Sequence, residues 1–304
     1  MATTPAVPAV QPLTCAPLNG ASAASTHPVY IAKIDNSGAQ GAVPQYGLGS
    51  ADFVTEELVE GGITRFAVFF YSKLPSKVGP IRSTRLTDIA LAKPLGAHIV
   101  TSGGAPVTIS GVQAAGIPLI TMSNPHVRRV LDGTHDFLHS VEADLQAIGS
   151  EANQASATPL TLLPCGTFKG TGTATNIDVR FSGVSNTRWS YAGGQYTMTN
   201  GSMASGDVFQ PRTIIVVKVN TSDAGYRDPA GNYVPASHFD GSGTGIIFSG
   251  GKYLKVTWHK NGVEALPTFT DAAGKPVHIT PGRTMLEMIP SGNDPQVPEG
   301  HVTF

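Results

Sequence analysis

Short apolar runs, separated by turns rich in Gly, Pro, Ser and Thr, dominate the pattern of this chain. In the first third, the runs VYIAKIDNS, RFAVFFYS and GAHIV each predict a buried strand. The stretch FVTEELVE alternates, which places Glu56 and Glu60 on one side of a strand and Glu57 on the other. The pattern STRLTDIALAK predicts a helix that begins near Ser83, and another helix is expected from about Ser140.

The second half of the chain alternates strand patterns with turns, in segments such as IDVRFS, TRWSYAGGQYTMTNG, TIIVVKVN and TMLEMIP. We therefore predict an α+β fold, in which an amino-terminal mixed α/β domain is followed by a smaller, β-rich carboxy-terminal domain. The segment 149–176, rich in Ala, Ser, Thr and Gly, marks the junction. The expected parts are a flexible tether at 1–26, the α/β domain at 27–165 and the β-rich domain at 166–304.

The composition narrows the classes of protein to consider. Charged residues make up 13% of the chain, about half of the usual share, while Gly and Pro are frequent, as in many loop-rich extracellular proteins. A net charge of −1 gives no general positive field, so bulk nucleic-acid binding is not expected and any anion recognition must be local. No run approaches the roughly 20 apolar residues of a membrane helix.

The first residues, MATTPAVPAVQ, lack the basic and apolar regions of a signal peptide. We interpret them as a flexible tether of an exported protein whose leader or lipid anchor has been removed, although a native disordered terminus would have the same composition. We therefore expect an extracytoplasmic protein of the cell envelope, which is attached to the membrane only through the removed amino-terminal anchor.

The two cysteines, Cys15 and Cys165, lie in the loop-like contexts PLTCAPLNG and LLPCGTFKG. Their spacing fits neither a metal knuckle nor a redox pair. We predict that they form one disulfide, and two unrelated buried thiols are the alternative.

An aromatic group in the second half is a candidate binding surface. Trp189, Tyr191 and Tyr196 would form a platform for a sugar or a base if their rings were exposed. Cross-strand packing of the same rings is the interpretation that we favour.

Arginines beside acids form the main candidate site. Arg65 lies on the strand RFAVFFYS, and the segment GPIRSTR carries Arg82 and Arg85 into the predicted helix. With Ser83 as the N-cap, free backbone N–H groups would lie next to both arginines, and such an arrangement binds anions. Arginine also matches the forked geometry of phosphate and carboxylate groups. A structural ion-pair network is the alternative.

Other polar residues are expected to support this site. Glu56 and Glu60 would orient the arginines, and the hydroxyl groups of Thr64 and Ser83 would add donors. Asp35 and Asn36 end a predicted strand, where ligands often bind, although an Asx turn is the alternative.

Together, the runs VYIAKIDN, SADFVTEELVEGGITRF and KVGPIRSTRLTDIALA resemble the amino-terminal domain of the YerB-like lipoproteins, a bacterial family built from domain of unknown function 3048. The later strands and turns, including PGRTMLEM, are similar to its carboxy-terminal domain. The resemblance implies an exported, usually lipid-anchored protein with no settled activity. The family's motif residues fall on Asp35, Asn36, Glu56, Glu60, Thr64, Arg65, Arg82, Ser83 and Arg85, and His139 retains the histidine of a later Pro-His-Asn element.

The segment HDFLH permits a second interpretation of the histidines. His135 and His139, four residues apart, imitate the zinc-protease pattern H-E-x-x-H, but Asp136 is one methylene shorter than the usual Glu and no third ligand is evident. We therefore assign no metal ligand, and we expect His139 rather than His135 to be needed.

Two functions remain open, and the sequence does not decide whether the protein is an enzyme. The first is a binding protein that holds a phosphate- or carboxylate-bearing small molecule, an envelope polymer or an acidic segment of a protein partner. The second is a phosphodiester hydrolase, with His139 as general acid or base and Glu60 as the catalytic carboxylate. No cofactor is expected, while a divalent metal stays open for the hydrolase.

Overall fold

The fold is known from a computed structural model, which describes residues 10–18, 25–152 and 158–304. Strands hold 39% of the residues and helices 13%, so sheet dominates a fold that is consistent with the α+β class. Within the described ranges, no helix is long and apolar enough to cross a bilayer.

The amino-terminal half contributes seven of the described strands and three α-helices. The strands are β1 (Tyr30–Asn36), β2 (Phe53–Leu58), β3 (Thr64–Phe70), β4 (His98–Val100), β5 (Leu119–Ile120), β6 (Val127–Arg129) and β7 (Val141–Ala143). The helices are α1 (Asp88–Ala92), α2 (Pro106–Ala114) and α3 (Leu145–Ala152). Single 3-10 turns lie at Gln40–Ala42, Leu48–Ser50, Glu60–Gly62, Lys93–Leu95 and Phe137–His139.

The carboxy-terminal half is built from strands. They are β8 (Gly172–Thr173), β9 (Asn176–Arg180), β10 (Asn186–Ala192), β11 (Gln195–Met198), β12 (Thr213–Arg227), β13 (Tyr233–His238), β14 (Gly241–Ser249), β15 (Lys252–Lys260), β16 (Thr268–Thr270), β17 (Thr284–Pro290) and β18 (His301–Thr303). The strands that the apolar runs of this half predict are therefore present.

One large sheet runs through both halves of the chain. Its main path is β16-β15-β14-β12-β17-β2-β3-β1-β4-β5, with β13 paired to β12 and β8 paired to β15. Strand β17 lies between β12 and β2 and is parallel to both. A smaller sheet, β11-β10-β9-β18, and the pair β6-β7 complete the strand pairing.

Each face of the large sheet carries its own hydrophobic core. Strand β3 shows how the sequence supplies both cores, because alternate residues of a strand point to opposite faces. Phe66, Val68 and Phe70 enter one core, while Ala67 and Phe69 enter the other. The first core is closed by the smaller sheet and the second by α1 and α2.

The predicted disulfide between Cys15 and Cys165 is present. It closes a loop of 150 residues and joins the segment 10–18 to the middle of the chain. Within this segment, Leu13 is buried in the second core. Most of the predicted tether, residues 1–9 and 19–24, lies outside the described residues.

Two helix starts differ from the sequence prediction. Helix α1 begins at Asp88 rather than near Ser83. The carbonyls of Ser83 and Thr84, which would accept the first helical hydrogen bonds, instead accept from the side chains of Arg65 and Arg85, each at 2.9 Å. Helix α3 begins at Leu145 rather than Ser140, because β7 pairs first with β6.

Candidate functional site

The candidate residues lie at one end of the large sheet, where β1 ends and β3 begins. In the antiparallel pairing of these strands, Asp35 lies opposite Arg65 and Asn36 lies opposite Thr64. Neighbouring side chains of a strand point to opposite faces, so the strand ends carry two clusters. The arginine face holds Asp35 and Arg65, and the opposite face holds Asn36 and Thr64.

Arg65 and Arg85 share one carboxylate on the arginine face. Arg65 donates from Nη2 to Glu60 Oε1 at 3.2 Å and from Nη1 to the carbonyl of Ser83 at 2.9 Å. Arg85 forms a close ion pair with Glu60 and donates from Nη1 to the carbonyl of Thr84 at 2.9 Å. Both arginines are buried, so their guanidinium groups act inside the protein.

The pKa values follow from this pairing. Burial opposes the charge of Glu60, but Arg65 and Arg85 outweigh it and lower the pKa of this carboxyl to about 2. Burial, together with the charge of Arg85, lowers the pKa of Arg65 to about 10. All three groups are therefore charged at neutral pH.

Arg82 has a different environment and is 26% exposed. Its Nε lies 3.2 Å from Asp35 Oδ2, within ion-pair distance but without hydrogen-bond alignment. Its Nη1 donates to the carbonyl of Leu138 at 2.8 Å. Its Nη2 makes no hydrogen bond with any described residue. Arg82 is thus the member of the arginine cluster that solvent can reach.

Asp35 connects Arg82 to His139. Its Oδ1 accepts hydrogen bonds from the backbone N and the hydroxyl of Ser37, at 2.8 and 2.6 Å. Its Oδ2 lies 3.6 Å from His139 Nε2, and His139 Nδ1 lies 2.8 Å from Asp136 Oδ1. The histidine therefore lies between two carboxylates, one of which also contacts Arg82.

A buried ion triad underlies the arginines. Lys33 Nζ contacts Glu57 Oε1 at 2.6 Å and Asp88 Oδ1 at 2.7 Å, and all three side chains are buried. With these residues the network contains four cations and four carboxylates: Lys33, Arg65, Arg82 and Arg85 against Asp35, Glu57, Glu60 and Asp88. The network is balanced in charge, and it does not need an added anion for neutrality.

Two sequence-based details of the site are wrong. Because α1 begins at Asp88, Ser83 is not an N-cap, and Arg82 and Arg85 do not share a helix face. The predicted anion site therefore does not have the helix start that the sequence analysis assigned to it. The carbonyl of Ser83 instead accepts hydrogen bonds from Arg65 and, at 3.4 Å, from Arg85.

The two histidines of HDFLH have separate partners. His135 Nε2 lies 2.9 Å from the carbonyl oxygen of Pro44, whereas His139 faces Asp35 and Asp136. In the part of the chain that the structure describes, no group of three or more His, Cys, Asp or Glu is arranged to hold a metal ion.

A second cluster occupies the opposite face. Asn36 Nδ2 donates to Glu56 Oε1 at 2.9 Å and to the hydroxyl of Thr64 at 2.8 Å. Thr187 Oγ1, from β10, donates to Glu56 Oε2 at 2.8 Å. Glu56 therefore joins β1 and β3 to the smaller sheet, rather than orienting the arginines as the sequence analysis expected.

Glu56 has an acidic neighbour that the sequence analysis missed. In the parallel pairing of β2 with β17, Glu56 lies beside Glu287, which accepts a hydrogen bond from Trp189 Nε1 at 2.8 Å. Burial raises the pKa of Glu56 to about 7, and burial together with the charge of Glu56 raises that of Glu287. A signal was available, because Glu287 is the one charged residue within the apolar run TMLEMIP.

The aromatic residues pack rather than forming a platform. Trp189 is buried beneath the smaller sheet, with its ring N–H bound to Glu287. Tyr191 and Tyr196 face each other across the β10–β11 pair, with ring centroids 4.9 Å apart. The favoured interpretation, cross-strand packing, is confirmed.

The fold and the site define a β-rich protein with one disulfide, whose polar residues collect where its two halves share a sheet. The chain belongs to the family described as a protein of unknown function (DUF3048). The amino-terminal domain of that family matches residues 13–157 and the carboxy-terminal domain matches residues 177–286. The resemblance found in the sequence motifs is confirmed.

Two comparisons with YerB of Bacillus subtilis agree with this assignment. The protein named "Putative lipoprotein YerB", from Bacillus subtilis (strain 168), is 45% identical over 65 residues. That match covers 21% of this chain and spans 20% of the relative's length. The crystal structure of YerB protein from Bacillus subtilis is 20% identical, has a TM-score of 0.76 and covers 97% of this chain and 100% of that one. The second likeness shows a shared fold.

Proposed function

We propose that this protein is an exported, envelope-associated binding protein in which Arg82 contacts an anionic ligand. The ligand class is a phosphate- or carboxylate-bearing small molecule, envelope polymer or protein segment. Export is supported by the disulfide, since disulfides persist mainly outside the cytoplasm, and by the lipoprotein name of the Bacillus subtilis relative. The family carries no assigned activity.

The exposure of Arg82 is the observation that carries the proposal. A guanidinium with a free, solvent-facing N–H pair forms charge-assisted hydrogen bonds to phosphate or carboxylate oxygens. Arg65 and Arg85 are committed to Glu60 and to backbone carbonyls, so they act as supports. Asp35, held by Ser37 and beside His139, fixes the position of Arg82, and a fixed donor loses less entropy on binding.

We also propose the division into an amino-terminal mixed α/β domain at 27–165 and a β-rich domain at 166–304. The three α-helices of the described residues lie in the first part. The match to the amino-terminal family domain ends at residue 157, and the match to the carboxy-terminal domain begins at residue 177. The proposed boundary lies between them.

The binding test compares Arg82→Gln with Arg128→Gln, which removes an exposed arginine from the nearby strand β6. Calorimetric titrations use inorganic phosphate, citrate and a polyphosphate chain. We expect Arg82→Gln to weaken the anion that binds wild type by about 10- to 100-fold, the value of one or two charge-assisted hydrogen bonds. Arg128→Gln should leave the affinity unchanged. If no anion binds wild type, or both variants bind equally, the proposal is wrong.

The alternative, a phosphodiester hydrolase, is favoured by the line of Asp136, His139 and Asp35 beside Arg82. A general acid or base held by carboxylates on both sides is a known catalytic arrangement. The assay is turnover of bis(p-nitrophenyl) phosphate, with and without Mg²⁺ or Mn²⁺. The binding proposal predicts no turnover. Turnover that disappears in His139→Gln, and survives in His135→Gln, would replace it with the hydrolase.

A further inference from the structure

A second polar site lies on the face of the sheet opposite the arginines, where the two halves of the chain meet. A cavity of about 170 Å³ opens there between the ends of β1 and β3 and the smaller sheet. Eight of its eleven lining residues carry hydroxyl or amide side chains, and none is charged. We call it the amide–hydroxyl cavity. Among its residues, Asn36 and Thr64 come from the first half, and Ser185 and Thr187 come from the second.

The lining chemistry selects one class of ligand. Hydroxyl and carboxamide groups both donate and accept hydrogen bonds, so they complement groups that do the same. An anion would find no cation in these walls, and it would approach the carboxyl of Glu56 behind them. An apolar ligand would leave the polar walls without partners, at a cost for each buried group. A neutral sugar, with or without an acylamino group, satisfies the walls and adds no charge.

The cavity walls are held in place before any ligand binds. Asn36 uses its amide N–H groups on Glu56 and Thr64, and its carbonyl accepts from Gln45 Nε2 at 3.0 Å. Thr187 is tied to the other oxygen of Glu56 at 2.8 Å. The buried Glu56 thus holds two wall residues directly, Asn36 and Thr187, and Asn36 in turn holds Thr64. Recognition of a polar ligand is most effective with donors and acceptors fixed in this way.

Other groups of the cavity remain free to bind. The hydroxyl groups of Ser185 and Ser202 make no hydrogen bond with any described residue, and neither does the amide oxygen of Asn186. Asn186 is oriented through its nitrogen, which donates to Asp178 Oδ1 at 2.8 Å. The cavity therefore combines fixed polar walls with three groups that are not bound to a described residue.

We infer that the amide–hydroxyl cavity binds one neutral sugar residue of a carbohydrate, separately from the anion contact at Arg82. Its walls come from both halves of the chain, so an occupying sugar joins them. A ligand that binds the folded form alone raises the unfolding temperature by mass action. Carbohydrate binding should therefore raise the unfolding temperature of the whole protein and also shift the resonances of side chains in the cavity.

The experiment titrates the intact, disulfide-bonded protein with N,N′-diacetylchitobiose and with maltose. Binding is followed through the side-chain amide resonances of Asn36 and Asn186 and through the unfolding temperature. Ser185→Trp places a large ring in the lining of the cavity without removing a hydrogen bond of the Ser185 side chain. Val263→Trp places the same ring on a distant loop and is the matched control.

We expect at least one of the two sugars to shift both amide resonances. Ser185→Trp should weaken that binding by about tenfold or more, while Val263→Trp and Arg82→Gln should leave it unchanged. Three results would overturn the inference: no resonance shift with either sugar at the highest soluble concentration, equal binding by Ser185→Trp, or loss of sugar binding in Arg82→Gln. The last result would mean that the two faces form one site.

Discussion

Glu287 is a buried acid whose surroundings oppose its charge. It is fully buried, one carboxyl oxygen accepts from Trp189, and the other, Oε2, has no hydrogen-bond partner among the described residues. Glu56 lies beside it on β2, and the negative charges of Glu56 and Asp178 add to burial in raising the pKa of Glu287. Two neighbouring buried carboxyls cannot both ionise at low cost, so the pair retains a proton at neutral pH.

This retained proton makes the free energy of unfolding depend on pH. The pKa of Glu56 rises from 4.5 to about 7 in the folded protein, so between these values the folded state holds a proton that the unfolded state has released. Stability therefore falls as pH rises through this window, by about 1.4 kcal/mol per pH unit for each such proton. Above about pH 7, the stability stays lower by the full amount lost between these two pKa values.

We predict that Glu287→Gln gains stability relative to wild type as pH rises from 5 to 8. The amide oxygen of Gln can still accept from Trp189, and its nitrogen can donate to Glu56, which then ionises at lower cost. Urea unfolding of both proteins at each pH gives the difference, which we expect to grow by about 1 kcal/mol or more. Glu264→Gln, in which the acid removed is 75% exposed, is the control and should run parallel to wild type. A pH-independent difference for Glu287→Gln would refute the shared proton.

At the same scale, the sequence predicted which residues gather at the site better than it predicted what they do. Strand parity correctly separated Glu56 from Glu57, but it wrongly kept Glu60 on the side of Glu56, because the strand ends at Leu58 and Glu60 lies in a 3-10 turn that faces Arg65 and Arg85. It did not assign Glu56 to Thr187 and Glu287, because those partners follow more than 130 residues later and meet it through tertiary pairing. The numbers of arginines and acids likewise could not show that Glu60 forms ion pairs with both Arg65 and Arg85.

At the scale of elements, the segment before α1 shows why local signals failed. Propensity predicted a helix from Ser83, but Asp88 turns its carboxylate back toward the chain. Its Oδ2 accepts from the hydroxyl of Thr84 at 2.6 Å and from Arg85 N at 2.8 Å, while its Oδ1 takes Lys33 at 2.7 Å. The Asp88 carboxylate thus holds Thr84 and Arg85 in a non-helical conformation and forms an ion pair with the buried Lys33.

We predict that Asp88→Asn destabilises the protein by about 2 kcal/mol, because the buried Lys33 keeps Glu57 as a charged partner but loses the charge-assisted hydrogen bond to Asp88. Urea unfolding at neutral pH measures the loss, and faster hydrogen exchange at Thr84 and Arg85 would place it in this segment. Glu151→Gln, a half-exposed acid on α3, is the control and should change stability by less than about 0.5 kcal/mol. An equal, small effect of the two substitutions would show that the triad contributes little.

The strands, by contrast, were largely predictable. Runs such as RFAVFFYS and TIIVVKVN are rich in β-branched and aromatic residues, which suits strands buried on both faces. Their order in the sheet was not predictable, because β17 pairs with β2 from the other end of the sequence, and no local pattern records that partner.

At the scale of the whole molecule, this pairing bears on how the two proposed domains are joined. Strand β17 belongs to the second half, yet it fills the position between β12 and β2 and places Glu287 beside Glu56. Withdrawing the first half would expose one edge of β17 and one face of its apolar side chains. An unpaired, apolar strand edge is unstable in water and prone to aggregation.

We therefore predict that both halves unfold in one cooperative step. Trp189 and Trp258 both lie in the second half, so their fluorescence reports it, while hydrogen exchange of peptides covering β2 and β3 reports the first. The two probes should give the same urea midpoint in the disulfide-bonded protein, and the fragment 166–304 alone should not fold. Two separate midpoints, or a folded fragment, would show that the shared sheet is weaker than either core and that the halves behave as independent domains.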